Sequence, residues 1–107
     1  MARQLNESIT LDFTTTNPAT GQVQDADVLP TCIVFIDTSN TPLISPIVIK
    51  VAGQTGVYRV NFITDPDLGF LEGSSYNVIA TATVNAVTGK ARIGLFEIEP
   101  VPVHFRI

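Results

Sequence analysis

The sequence predicts an all-β sandwich of about seven strands, and three observations carry that expectation. Val, Ile and Thr make up about a third of the 107 residues, and β-branched side chains suit a pleated, half-buried surface better than a helix. Apolar and polar residues alternate with period two in segment after segment, the pattern of a strand with one buried face. Gly, Pro, Asn and Asp recur between those segments as turn formers, and no segment sustains a 3.6-residue period. A chain of this length buries roughly two-thirds of its unfolded surface around one core. One domain is therefore expected over residues 1–99, with residues 100–107 as a C-terminal arm or edge strand.

Residues 8–15 open the series, with Ile9, Leu11 and Phe13 alternating with Ser8, Thr10, Asp12 and Thr14. The following stretch, from Asn17 to Pro30, concentrates turn formers and reads as a long loop, with room for a short edge strand around Val23. Cys32 to Ile36 form a continuous apolar run, the mark of a central strand covered on both faces. A turn is expected at Asn40 to Pro42, after which Ile47, Ile49 and Val51 share one face of a short strand.

Gly53 and Gly56 reverse the chain into the clearest two-sided strand, with Tyr58, Val60 and Phe62 in the core phase. Asp65 to Ser75 are rich in turn formers and carry Phe70 and Leu71 over one end of the core. Tyr76, Val78, Ala80, Ala82 and Val84 then share a phase. A hairpin reverses between Asn85 and Lys90, with its corner at Gly89-Lys90, and Ile93 to Ile98 run back. Strands at this spacing indicate an immunoglobulin-like β-sandwich in the loose sense, without the Cys, Trp, Cys signature of antibody domains, because the chain has no Trp.

The last segment differs in kind. Pro100 and Pro102 each remove a backbone donor and exclude an interior strand at those points. Val101, Val103, Phe105 and Ile107 nevertheless keep one apolar face, which makes them the candidate contacts of an arm that docks onto a neighbouring subunit in an oligomer or other assembly. The alternative is a last strand added to the chain's own sheet.

Composition narrows the function. The formal charge is -4 and Lys50 and Lys90 are the two lysines, so the basic stripe that phosphate backbones require is missing and no nucleic acid partner is expected. No run approaches the roughly 18 apolar residues of a membrane span, and the first residues lack the apolar core of a secretory signal, so no membrane partner is expected and the chain is read as made in the cytoplasm. A single cysteine, Cys32, excludes a disulfide framework within the chain and reads as a buried hydrophobe.

Catalysis by proton transfer or nucleophilic attack needs a base, a nucleophile and an orienting group, and the supply is thin. His104 is the lone histidine and lies in the arm. Asp25 with Asp27 and Asp65 with Asp67 have the Asp-x-Asp spacing of hard-cation ligands, but neither pair fits a twelve-residue calcium loop, and both read as turn builders. The glycines stand singly, as hairpin punctuation and not as a phosphate loop. No catalytic residue, no cofactor and no metal ligand is assigned, and the chain is read as non-enzymatic.

Four spaced elements carry a resemblance: Leu11-x-Phe13, Gly56-x-Tyr58-x-Val60, Gly73-x-x-Tyr76-x-Val78 and Gly94-x-Phe96-x-Ile98. The sequence resembles the small immunoglobulin-like β-sandwich domains that recur in structural proteins of tailed bacteriophages, over roughly residues 8–99. The resemblance implies a virion component. A single domain with its own Met fits a head decoration, or cement, protein best, because tail and baseplate proteins carry this module within longer chains. The implied partner is the major capsid protein, and a trimer is the implied oligomer, built on heterologous contacts. The competing reading is an adhesion module of a tail fibre or bacterial surface that binds a polysaccharide or a protein receptor, which would need exposed aromatics such as Tyr58 or Phe70.

Overall fold

The computed structural model describes residues 2–37 and 41–99. Eight strands lie among the described residues: β1 (Ala2–Arg3), β2 (Ser8–Thr14), β3 (Thr31–Ile36), β4 (Thr41–Ile44), β5 (Val48–Lys50), β6 (Val57–Ile63), β7 (Ser75–Val84) and β8 (Val87–Ile98). They form a five-stranded sheet ordered β1-β8-β7-β3-β4 and a three-stranded sheet ordered β2-β6-β5, antiparallel except where β1 joins β8. The chain is an all-β sandwich, and its strand order is immunoglobulin-type, with β2, β6 and β5 as the B-E-D sheet and β8, β7, β3 and β4 as the G-F-C-C′ sheet.

Register explains the core. Pairing of β2 with β6 sets Ile9 opposite Phe62, Leu11 opposite Val60 and Phe13 opposite Tyr58, so both strands turn their apolar phase to the same side. The outer phase of the same pair places Asp12 opposite Arg59, where two hydrogen bonds of 2.7 and 3.0 Å join them. That contact holds the Asp12 carboxyl below its ordinary range and raises Arg59. In the facing sheet, Cys32 lies opposite Ala80, Val34 opposite Val78, and Tyr76 opposite Phe96. Tyr58, Val60 and Phe62 are buried, as their alternation requires, and Thr64 continues that buried phase.

Tyr76, at the start of β7, accepts a hydrogen bond on its Oη from the Leu71 N–H at 2.8 Å. This is the tyrosine corner of immunoglobulin-type folds, tying the β6–β7 connection to the core. The connection begins with a 3-10 turn, Pro66–Leu68, capped by the Asp65 side chain. Phe70 then drops fully into the core while Leu71 stays exposed, so the two apolar residues of this loop part company.

Several strand-level expectations are corrected. The β7–β8 hairpin turns at Asn85 and Ala86, which both have positive φ (51° and 66°), as a two-residue type I′ turn requires. Gly89 and Lys90 lie inside β8, paired with Ala82 and Thr81, because β8 begins at Val87. At β5 the face shared by Ile49 and the preceding Ile47 is outward. The register of Val48 with Val60 points Val48 inward and leaves the two isoleucines in solvent.

Strand β3 is interior to its sheet but covered on one face only: Cys32 and Val34 are buried, whereas Ile33 and Phe35 are half-buried. Pro42, placed in a turn from sequence, belongs to β4, an edge strand where a missing N–H is tolerated. Residues 38–40 of that turn lie outside the described residues. Near Val23 the expected edge strand is a single bridge to Thr16.

Candidate functional site: an apolar cleft under a braced loop

The long loop between β2 and β3 is held at one end of the sandwich by side chains, among them two aspartates that the sequence suggests only as local turn builders. Asp27 accepts hydrogen bonds from the N–H groups of Asn85 and Ala86 at 3.0 and 2.8 Å, so its carboxylate closes over the tip of the β7–β8 hairpin. Its own N–H donates to Thr83 O at 2.7 Å. Asp25 accepts from the Gly56 N–H and lies 3.5 Å from Lys50 Nζ. Tyr58 Oη accepts from the Ala26 N–H at 2.9 Å, and Thr15 Oγ1 donates to Gln24 O at 2.6 Å. An exposed loop of sixteen residues without regular strand is thereby fixed to both sheets.

These bonds also bear on cation binding. Asp25 and Asp27 are committed to two different turns, and Asp65 accepts from the Asp67 N–H within its own cap. A chelator is accordingly expected to leave the melting temperature unchanged, and a rise of several degrees on adding calcium would contradict the strut role. Asp27→Ala, by contrast, removes two charge-assisted hydrogen bonds from the hairpin tip and should destabilise by about 1.5 to 3 kcal/mol in urea unfolding.

Beneath this loop the two sheets part. A cleft of about 260 Å³ opens between β2 and the upper halves of β7 and β8, with Phe13, Ala80, Ala82, Val84, Val87 and Ile93 as its apolar lining and Thr14 to Thr16 on its rim. The cause lies in side-chain size and in a bulge. The register of β8 on β7 shifts between Val78 and Ile79, and the first inward residues beyond that point are Ala80, Ala82, Gly89 and Ala91, too small to reach the opposite sheet, before Val84 and Val87 close the far end. Below the shift the sandwich closes, because Gly94 leaves room for Leu11, whose Cδ1 would lie 2.8 Å from any Cβ placed there.

Both strands at the mouth have a free edge. Strand β2 pairs only with β6, and β8 meets β1 only at Glu97 and Ile98, among the described residues. Comparison with protein-family models, curated proteins and solved structures finds no match to this chain.

The remaining candidate residues fall elsewhere. Tyr58 and Phe70 are both buried, at 3% and 0% exposure, so neither forms the exposed aromatic platform that a sugar-binding reading requires. Val101, Val103, Phe105 and Ile107, with His104, lie outside the described residues. Cys32 is buried on the inner face of β3, and loss of solvent pushes its thiol up from 9.0 to about 11.

Between those two values the unfolded chain has lost the Cys32 proton and the native chain has kept it. Stability therefore falls as pH rises through that window, by at most about 1.4 kcal/mol per unit. A Cys32→Ala variant should lack this component of the alkaline loss, as urea titrations at pH 8 to 11 would show. Strand periodicity alone does not reveal the cleft. Its one signal in the sequence is the set of small inward residues at Ala80, Ala82, Gly89 and Ala91, which cannot fill a sandwich about 10 Å thick.

Proposed function

We propose that this chain is a non-enzymatic structural protein of a tailed-phage virion, a head decoration protein that binds the major capsid protein from outside. The single observation that supports a binding role is the apolar cleft flanked by two strand edges that are unpaired among the described residues, because such a groove offers an extended segment of another chain both side-chain pockets and backbone partners. The chemistry-bearing groups point the same way: Asp25, Asp27 and Asp65 hold turns, and Cys32 is sealed in the core. The acidic balance of -4 disfavours packaged nucleic acid as the ligand.

The phage assignment comes from the resemblance of the motif elements. The motif residues themselves serve turns and packing: Gly56 and Gly73 take positive φ at loop ends, and Tyr58, Tyr76, Phe96 and Ile98 are core residues. The test is sedimentation of purified protein with phage heads stripped of their surface proteins. Saturable co-sedimentation at a fixed ratio to the major capsid protein is the expected result. Binding to isolated tails or to host polysaccharide, with none to heads, would replace the decoration reading by an adhesion module.

A further inference from the structure

We infer that the cleft between β2 and β8 is an acceptor groove for residues 100–107 of a second copy of this chain, which adds as a strand along the free edge of β8 and seats Phe105 in the cleft. The inference concerns self-assembly and does not rest on the virion reading.

Three features select this occupant. The first is chemistry. The lining is apolar, and Val101, Val103, Phe105 and Ile107 are the chain's own apolar set in strand phase outside the described residues. An apolar cavity of about 150 Å³ accepts a benzene ring, so about 260 Å³ has room for the Phe105 ring and one aliphatic neighbour.

The second is backbone pairing. Along a strand, alternate residues turn their N–H and C=O groups to the same edge. Pro100 and Pro102 both belong to the even-numbered set, so the donors of Val101, Val103 and Phe105 share one intact edge, and the prolines spoil only the other. A segment of this kind suits a sheet margin, and here it would end the exposure of the β8 edge.

The third is reach, and it decides between the chain's own groove and a neighbour's. Phe105 stands six residues beyond Glu99, and six residues span at most about 22 Å. The β8 residue of the cleft nearest Glu99 is Ile93, six residues back up the strand, about 20 Å away, with Ala91 and Gly89 farther still. The chain would also have to reverse, and a turn of about two residues leaves roughly 14 Å of reach, and it would have to pass β1, which already occupies the β8 edge at Glu97 and Ile98. Phe105 cannot return to its own cleft, whereas a neighbouring copy can present its cleft at any distance. Tail from one end and groove at the other make a heterologous, head-to-tail contact, which closes into a ring when the rotation permits.

The test uses two full-length variants. Phe105→Asp removes the donor, and Ala82→Phe fills the acceptor with its own ring. Wild-type protein at roughly 100 μM should elute as a closed oligomer in size-exclusion chromatography with light scattering. Each variant alone should elute as a monomer, with association weakened at least about thirtyfold, the scale of an interface hot spot. An equimolar mixture should give a 1:1 heterodimer, because one intact tail then meets one intact cleft.

A monomeric wild type, an oligomer that survives Phe105→Asp, or a mixture that stays monomeric would overturn the inference. Should Ala82→Phe fail to fold, a synthetic peptide of residues 99–107 added to full-length Phe105→Asp serves instead. Amide shifts at Ala80, Ala82 and Ile93 support donation between copies, and their absence refutes it.

Discussion

Phe70→Ala is expected to lower the unfolding free energy by about 3 to 5 kcal/mol, the range for emptying a buried aromatic site. Phe70 lies in a connection, yet it is fully buried and stands among three aromatic rings. Its centroid is 4.9 Å from Tyr76, 6.1 Å from Phe62 and 6.3 Å from Phe96. Those rings come from both sheets and from the tyrosine corner, so removing Phe70 leaves a void at the point where the sheets and the connection meet. The next residue donates the N–H that Tyr76 Oη accepts, and a relaxed loop would loosen that bond as well. Urea unfolding with matched m-values measures the loss. Leu71→Ala is the internal comparison: its side chain is 61% exposed, and its change should stay within about 0.5 kcal/mol. Equal effects at the two positions would show that Phe70 does not fill the core.

The contrast between these adjacent residues also shows what sequence can and cannot tell. Period two is readable wherever a strand is long and has one wet face, and β2, β6 and β7 therefore show their core phases directly: Ile9, then Tyr58, Val60 and Phe62, then Tyr76 and Val78. In β5 the same rule fails, because three residues fix no phase of their own and the partner decides. Once Val48 pairs with Val60, Ile47 and Ile49 must face water however apolar they are. The hairpin corner misleads for a related reason. Gly89-Lys90 looks like a turn, but Asn85 tolerates positive φ and Asp27, 58 residues away in sequence, binds the turn's N–H groups. That compensation is tertiary and leaves no local trace. The cleft is likewise a product of pairing: small residues on β7 and β8 become a groove only after the register shift above Val78 brings them opposite one another and the end of β2, at Phe13 and Thr14, faces them across the gap.

Gly56→Ala should prove nearly as damaging as loss of an aromatic, although it adds a single methyl group. Gly56 has φ +70°, in the left-handed region where a side chain is strained by about 1 to 3 kcal/mol. A Cβ there would also lie 2.9 Å from the Thr15 carbonyl oxygen, 3.1 Å from that of Gln24 and 2.6 Å from Val23 Cγ1. Val23 can turn aside, being half exposed, but the two carbonyls belong to backbone held by cross-loop bonds: Thr15 N–H donates to Gly56 O at 2.8 Å, and Gln24 N–H to Thr15 O at 3.1 Å. Overpacking against such atoms adds about 1 to 3 kcal/mol, for an expected total of about 2 to 6 kcal/mol. Gly21→Ala separates the two causes. Gly21 has a similar φ, +74°, with nothing within 4 Å of its Cβ position, so it should show the strain alone, less the small gain from a stiffer unfolded chain. The difference between the two variants in urea unfolding reads the close approach itself. Since Thr15 and Thr16 form the rim of the cleft, Gly56→Ala should also weaken self-association in step with stability, whereas Gly21→Ala should leave it unchanged. Equal losses of stability in the two variants would mean that the loop does not press on Gly56, and the bracing of the cleft rim would lose its foundation.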